Sequence, residues 1–157
     1  MVPAALLLAT YWVLSYAWLK DLGDRQEVAK TVMIVGVVAS VFLVVYTLAL
    51  GAAGDNFRLQ RKIGIIVYFT FTFMAQLLLT WRLGKLPRQG ITLAPLLALC
   101  SFLLGTGLLT LVLDVTTDNY SDYENAFEWV LALAIHLYFL MTWRSWRDTG
   151  FPARGSS

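Results

Sequence analysis

Five polar side chains lie inside or at the ends of long apolar stretches. They are Gln76, Glu128 and His136, together with the cations Arg61 and Lys62. Glu128 and His136 are eight residues apart, just over two helical turns, so with Ala132 they share one broad face of a helix. If that helix crosses a membrane, an ionisable group inside it is costly and is found where it has a partner or water. These residues are therefore the first candidates for chemistry.

Gln76 and His136 are predicted to lie at similar depths in two helices that run in the same direction. Gln76 precedes Arg82 by six residues, and His136 precedes Arg144 by eight. At a rise of 1.5 Å per residue, these depths differ by roughly 3 Å. A hydrogen bond between the amide of Gln76 and the imidazole of His136 is therefore feasible.

Glu128 has two candidate partners, because the long side chains of Arg61 and Lys62 can reach towards it from the membrane surface. Two interpretations stay open. The polar groups form a proton- or ligand-linked site between the third and fifth spans, or they hold two helices together, each contact contributing about 0.6–2 kcal/mol. One histidine with one glutamate is too small a set for a catalytic or metal assignment, so we predict no metal and no cofactor.

The composition tells what kind of chain must position these groups. Of 157 residues, 59% are hydrophobic and only 14% are charged, against about 25% charged in ordinary soluble domains. A soluble chain of this length could not bury so much apolar surface, which argues against a soluble enzyme, a DNA-binding domain or a disordered chain. The net charge of +2 is too small to indicate a nucleic-acid partner, and the one cysteine excludes a disulfide framework.

Long stretches without charge predict the architecture. Residues 1–19, 31–54, 63–81 and 89–113 contain no Asp, Glu, Lys or Arg, and a fifth apolar run at 129–143 extends back to about 123 if Glu128 is tolerated. About 20 apolar residues cross a bilayer as a helix. We therefore predict an all-α polytopic membrane bundle, with five transmembrane helices in one domain (1–148) and a flexible cytoplasmic tail (149–157). The helices are expected at about 3–19, 30–52, 62–82, 91–113 and 123–143. No cation precedes the first helix, which favours a retained span over a cleaved signal peptide.

The distribution of Lys and Arg predicts the orientation. Nine cations fall in the first loop, the third loop and the tail, whereas only Arg58, Arg61 and Lys62 fall in the second loop. Because cytoplasmic loops carry the excess of Lys and Arg, the C-terminus is predicted to be cytoplasmic and the N-terminus outside or lumenal. Trp81, Trp143 and Trp146 lie beside arginines at the predicted inner boundary, which is typical of an aromatic belt at headgroup level.

Small residues at a spacing of three or four indicate close helix packing rather than a pore lining. Gly36 and Ser40 form such a pair in the second span. A longer stripe in the fourth span consists of Ala94, Ala98, Ser101 and Gly105.

Part of the chain resembles the DRAM/Frag/Sfk family, whose namesake is the damage-regulated autophagy modulator. The run from Glu128 and Trp129 to Ala132, followed by Tyr138 and Phe139, is similar to the last helix of that family. Upstream, Asn56-Phe57 resembles a pair in the family's outer loop, and Gly64 and Phe69 stand where its next helix has Gly and Phe. The loop sides agree with the orientation derived from charge.

The chain departs from the family pattern in three places. Arg61-Lys62 stands where the family has His-Asp, and the glutamine of that helix aligns nearer Leu79 than Gln76. The family has six spans, and its first span has no counterpart here.

The resemblance implies a non-enzymatic protein that organises membrane lipids or a partner protein, in autophagy or lipid homeostasis. It assigns Glu128, Trp129, Gly64 and Phe69 a structural or lipid-facing role. The expected partners are membrane lipids and either another membrane protein or a second copy, in an endomembrane or the plasma membrane.

Two other functions stay open beside the one that the resemblance implies. One is a small transporter or proton-coupled carrier with a polar path through Gln76, Glu128 and His136. The other is a membrane-embedded lipid enzyme, which would need Arg58, Arg61 and Lys62 to frame a headgroup site against the acidic loop 114–124.

Overall fold

The computed structural model describes residues 2–49, 55–86, 91–116 and 121–151, and every regular element within these ranges is an α-helix. The helices are α1 (Val2–Asp21), α2 (Gln26–Ala49), α3 (Asp55–Leu83), α4 (Leu93–Thr116) and α5 (Ser121–Asp148). The prediction of an all-α chain is confirmed. Residues 117–120 of the acidic loop 114–124, and the tail from residue 152 onward, lie outside the described residues.

Several helices extend beyond the apolar stretches that predicted them. α2 begins four residues before position 30, α3 begins seven before position 62, and α5 ends five after position 143. The predicted end of the second helix at 52 lies outside the described residues. Backbone hydrogen bonding does not stop where side chains become charged, because a helix ends where its last carbonyl groups find other partners. Apolar length therefore located the helices and underestimated their extent.

Two helices end in a glycine cap. Gly23 follows α1 with φ +84°, and Gly150 follows α5 with φ +76°. This left-handed conformation favours glycine, which has no Cβ to clash with the following carbonyl. After α5, the N–H of Phe151 donates to the carbonyl of Trp146 at 3.0 Å, and the two rings meet edge to face at 6.0 Å. This backbone bond and its hydrophobic contact define a Schellman cap.

The chain folds into two compact units, one containing α1, α2 and α3 and the other containing α4 and α5. Within the first unit, α2 packs against both α1 and α3. Within the second unit, α4 packs against α5. α2 is therefore the central helix of the three-helix unit.

The contact between α1 and α2 is built on Trp12 and Gly36. The Trp12 side chain is fully buried, and a Cβ placed on Gly36 would lie 2.2 Å from its ring carbons. Only glycine leaves room for the indole at this point. One turn further along α2, Ser40 is buried and its hydroxyl donates to the carbonyl of Gly36 at 3.0 Å. The predicted packing role of Gly36 and Ser40 is confirmed.

The contact between α2 and α3 depends on a second glycine. A Cβ placed on Gly64 would lie 3.0–3.1 Å from the backbone and Cβ of Tyr46. The two helix backbones therefore approach closely at this position. The buried face of α3 continues through the next turns in a row with helical spacing, which contains Tyr68, Thr72, Ala75, Gln76, Leu79, Thr80 and Leu83.

The second unit buries much less of its helices. The buried residues of α4 are Leu96, Cys100 and Leu103, and they form one narrow stripe. The stripe of small residues predicted to pack lies elsewhere on the helix and is exposed at each of its members, Ala94, Ala98, Ser101 and Gly105. Among the described residues, and apart from the nearby backbone of α4 itself, no heavy atom lies within 4 Å of a Cβ built on Gly105. The prediction that this stripe packs is therefore wrong for the contact with α5, because α4 turns larger residues towards that helix.

Within the described residues, four helical segments are long and apolar enough to cross a membrane. They are Gln26–Ala49, Leu59–Leu83, Leu93–Leu113 and Ala126–Asp148. α1, the first of the five predicted spans, is not among these four segments, so five transmembrane helices are not confirmed. By the length and composition of these segments, the chain is a multi-pass integral membrane protein.

Candidate functional site

A buried ion pair ties the turn after α1 to the end of α3. The Nε of Arg82 donates to Oδ2 of Asp24 at 3.1 Å, and its Nη2 donates to Oδ1 of the same carboxylate. The Asp24 side chain is fully buried, and that of Arg82 is 13% exposed. Two parallel hydrogen bonds between a guanidinium and a carboxylate fix the position and the orientation of both groups.

Asp24 is held by its own backbone as well as by Arg82. Its N–H donates to the carbonyl of Leu19 at 3.0 Å, and the N–H of Arg25 donates to its Oδ1 at 2.7 Å. The first of these bonds closes the α1 cap, which the positive φ of Gly23 permits. Because the cap fixes the backbone, the carboxylate is presented to Arg82 without local freedom.

Two cations lie near the ring of Trp81 at the end of α3. The Nζ of Lys85 lies 4.0 Å from the centroid of the indole ring, and the Cζ of Arg82 lies 5.3 Å from it. Both distances are within the range of cation–π attraction. Trp81 is 49% exposed and Lys85 is exposed, so the ring and the lysine face the surroundings of the protein.

The last turns of α1 and α5 carry related pairs. The Nζ of Lys20 lies 5.5 Å from the centroid of the Tyr16 ring, and the Cζ of Arg147 lies 5.4 Å from that of the Trp143 ring. Trp143 is adjacent to Arg144 in the sequence, but the cation over its ring is Arg147, one helical turn away, where side chains meet on a helix surface. The sequence indicates the type of pair, and helix geometry selects the partner.

The predicted residues of α5 lie on its half-buried and exposed sides. Glu128 is half-buried, and His136 is exposed. The Nδ1 of His136 lies 2.6 Å from the carbonyl oxygen of Ala132, and its ring lies 6.2 Å from that of Phe139. The imidazole therefore bonds within its own helix, and the common face of Glu128, Ala132 and His136 stays a prediction.

Gln76 and its predicted partners belong to different units. Gln76 is fully buried in α3, in the three-helix unit, whereas Glu128 and His136 lie in α5. On the first turns of α3, Arg61 is half-buried and Lys62 is exposed. The contacts of Gln76 with His136, and of Arg61 or Lys62 with Glu128, stay predictions. The headgroup site that would involve Arg58 and the loop 114–124 falls on side chains outside those described.

Sequence reasoning missed the polar neighbours of Gln76. Thr72 and Thr80 lie one turn before and one turn after it and are buried to the same degree. Within the described part of the chain, the Oγ1 of Thr72 has no hydrogen-bond partner, whereas other helical hydroxyls, such as that of Thr142, donate to the carbonyl four residues earlier. The spacing of four was visible in the sequence as a polar row on an apolar helix.

The residues that carry the family resemblance have different surroundings. Gly64 is buried at the close contact with Tyr46. Phe69 is half-buried, and its ring lies 5.0 Å from that of Tyr68. Trp129 is 77% exposed, and neighbouring Glu128 is half-buried. The geometry thus gives Gly64 a packing role and leaves the Trp129 ring open to the surroundings.

The chain matches no protein-family model, no curated protein and no solved structure. The resemblance to the DRAM/Frag/Sfk family stays a prediction that rests on the residues quoted for it.

Proposed function

We propose that this chain is a non-enzymatic membrane protein that organises membrane lipids, in a role like that of the DRAM/Frag/Sfk proteins that it resembles. In this proposal all five helices cross the membrane, with the N-terminus outside or lumenal and the C-terminus in the cytoplasm. The ends of α1, α3 and α5 then lie at the cytoplasmic leaflet, in an endomembrane or the plasma membrane.

The observation that carries the proposal is the cation held over an aromatic ring near each of these three helix ends. The pairs are Lys20 over Tyr16, Lys85 over Trp81 and Arg147 over Trp143. Aromatic rings favour the headgroup level of a bilayer, and cations there attract anionic lipids. A protein with such pairs at several helix ends alters the lipid composition around itself.

Lipid analysis of polymer-bounded nanodiscs, cut directly from expressing cells, tests this function. The lipids in the discs should differ from the bulk membrane by an excess of anionic headgroups. The combined variant K20Q, K85Q and R147Q should lose that excess. A matched variant with R58Q, R61Q and K62Q removes three cations from the first turns of α3, at the opposite end of that helix, and should keep it. Equal compositions in the discs and in the bulk membrane would contradict the proposal.

Chemical labelling tests the orientation and the membrane crossing of α2 and α3. With Cys100 replaced by Ser, a single cysteine at position 85 or 20 should react with a membrane-impermeant maleimide only from the cytoplasmic side. A cysteine at position 62 should react only from the other side. Labelling of positions 20 and 62 from the same side would remove α2 as a crossing helix and contradict the topology.

The buried row in α3 favours a second candidate, a small transporter or proton-coupled carrier. Thr72, Gln76 and Thr80 are buried in successive turns of an apolar helix. Such a row is expensive in a membrane and is typical of a polar path. In proteoliposomes with a pH-sensitive dye inside, a carrier should dissipate an imposed proton gradient. The E128Q and Q76L variants should abolish that proton flux. If vesicles with the protein and empty vesicles dissipate the gradient at the same rate, this candidate is excluded.

A further inference from the structure

The ion pair with Asp24 occupies one edge of the Arg82 guanidinium. Asp24 accepts from Nε and Nη2, which form one edge of the planar group. A guanidinium has five N–H donors, and its Nη1–Nη2 edge is a second fork of parallel donors. That fork points away from the carboxylate and matches the spacing of two oxygens on a phosphate.

Lys85 adds a second cation to the same corner of the molecule. The turn after α3 is closed by the Lys85 N–H, which donates to the carbonyl of Arg82 at 2.9 Å. The ammonium is exposed and lies over the ring of Trp81, whose centroid is also within 5.3 Å of the guanidinium. Two positive charges thus converge on one indole. Within the described residues, Arg82 pairs with Asp24 and no carboxylate lies within ion-pair distance of Lys85, so an anion beside Lys85 and the Nη1–Nη2 edge of Arg82 would complete the corner.

The position of Trp81 indicates where that anion comes from. The ring is near the end of the apolar segment Leu59–Leu83 and is half exposed, whereas Leu83 beside it is fully buried. An amphipathic indole at this point lies at headgroup level in a bilayer. The anions concentrated at that level are the phosphates of lipids.

We propose that Arg82 and Lys85 bind the phosphate of an anionic phospholipid headgroup, with the Trp81 ring against the lipid backbone and Asp24 as a positioning residue. This inference rests on the proposed lipid-organising function and assigns it one site. Arg82 contributes its Nη1–Nη2 edge, and Lys85 contributes its ammonium. Asp24 orients the guanidinium through the opposite edge.

Reconstitution in nanodiscs with equal amounts of phosphatidylglycerol and phosphatidylcholine tests the site. The lipid that stays on the protein after brief detergent extraction is measured by native mass spectrometry. The wild type should retain phosphatidylglycerol in preference, and R82Q with K85Q should lower that preference about fivefold for each cation removed. The matched variant K20Q with R147Q removes the same charge from two other ring-bound cations and should keep most of it.

Replacing Asp24 distinguishes a positioned guanidinium from a mere positive charge. D24N removes a negative charge, so simple electrostatic attraction predicts a stronger preference for phosphatidylglycerol. A positioning role predicts a weaker preference, because Arg82 loses the carboxylate that orients its guanidinium. R82K keeps the charge without the fork and should also weaken the preference, which makes the test independent of whether D24N folds. A stronger preference in D24N, or an unchanged one in R82K, would overturn the site.

The pattern of failure separates this inference from the function on which it rests. If R82Q with K85Q retains phosphatidylglycerol as the wild type does, while the three-cation variant K20Q, K85Q and R147Q loses its anionic lipids, then the site is wrong and the function stands. If the wild type shows no preference, both are overturned. Displacement of the retained lipid by millimolar inorganic phosphate would overturn the lipid as the ligand and assign the corner to soluble phosphate.

Discussion

The three-helix unit buries a larger share of its membrane-spanning helices than the two-helix unit does. In α3, 39% of the membrane-spanning segment is buried inside the protein, whereas in α4 only 17% is buried. The first unit is held together by Trp12 packed on Gly36, by the close approach of Gly64 to Tyr46 and by the ion pair of Asp24 with Arg82. Large apolar side chains are exposed in both units, such as Leu7 at 72% in the first and Trp129 at 77% in the second, but the second unit buries the smaller share of its membrane-spanning segments.

The difference teaches where the chain fixes its own structure and where its surroundings complete it. In a bilayer, lipid is as apolar as leucine, so exposed apolar side chains cost nothing and packing depends on close contacts and polar groups. The α1–α3 unit has such contacts recorded at both helix pairs, around Gly36 and Gly64. Within the two-helix unit, α4 and α5 leave many of their apolar side chains exposed. Substitutions at matched positions of the two units therefore test the comparison.

Loss of the Asp24 carboxylate should have the largest effect. D24A leaves the guanidinium of Arg82 largely buried without its partner, which should lower the free energy of unfolding by about 2–3 kcal/mol. The matched change in the second unit is D148A, whose pair with Arg147 is 3.8 Å long and exposed, and it should cost less than about 0.5 kcal/mol. Unfolding in mixed micelles followed by circular dichroism measures both. Equal losses would remove the distinction between the two units.

A methyl group at the glycine contact should have the next largest effect. G36A places a Cβ against the ring of Trp12, and the overpacking should cost about 1–3 kcal/mol. G105A meets open space and should be neutral or stabilise by up to about 1 kcal/mol, because alanine is the better helix former. Thermal melting in detergent compares them directly. A melting temperature of G36A equal to that of the wild type would contradict the tight packing of α1 on α2 at this glycine.

These substitutions also mark what the sequence could and could not predict. Charge-free length located the helices, and the spacing of Gly36 and Ser40 predicted a close helix contact, which Gly36 makes with Trp12. The same pattern in α4 failed, because spacing does not tell which face of a helix meets its neighbour. Asp24 and Arg82 are 58 residues apart, so their pair depends on tertiary packing that no local pattern encodes. A charge-based topology already put them at one membrane face, which was the only signal available.

The hydroxyl of Thr72 should respond in the opposite direction from that of Thr142. T72V replaces a buried hydroxyl that has no recorded partner by a methyl group of the same shape, and should raise stability by about 0.5–1 kcal/mol. T142V removes a hydrogen bond of 2.9 Å to the Tyr138 carbonyl and should lower stability by about 0.5 kcal/mol. Melting temperatures of the two variants, measured in one detergent, give the signs. A loss of stability in T72V would indicate a bound water or ligand at that hydroxyl.

His136 should be the least sensitive of the polar residues to replacement. Its ring is exposed and bonds to a carbonyl oxygen of its own helix, which also accepts a backbone N–H in the regular helix pattern. H136L should therefore change the free energy of unfolding by less than about 0.5 kcal/mol, whereas Q76L removes a fully buried amide and should cost about 1 kcal/mol. Because H136L leaves the fold unchanged, any effect it has on proton flux reports on the imidazole itself. Loss of proton flux in H136L at wild-type stability would assign the exposed imidazole a role in transport. Unchanged flux would leave the buried row of α3 as the candidate polar path.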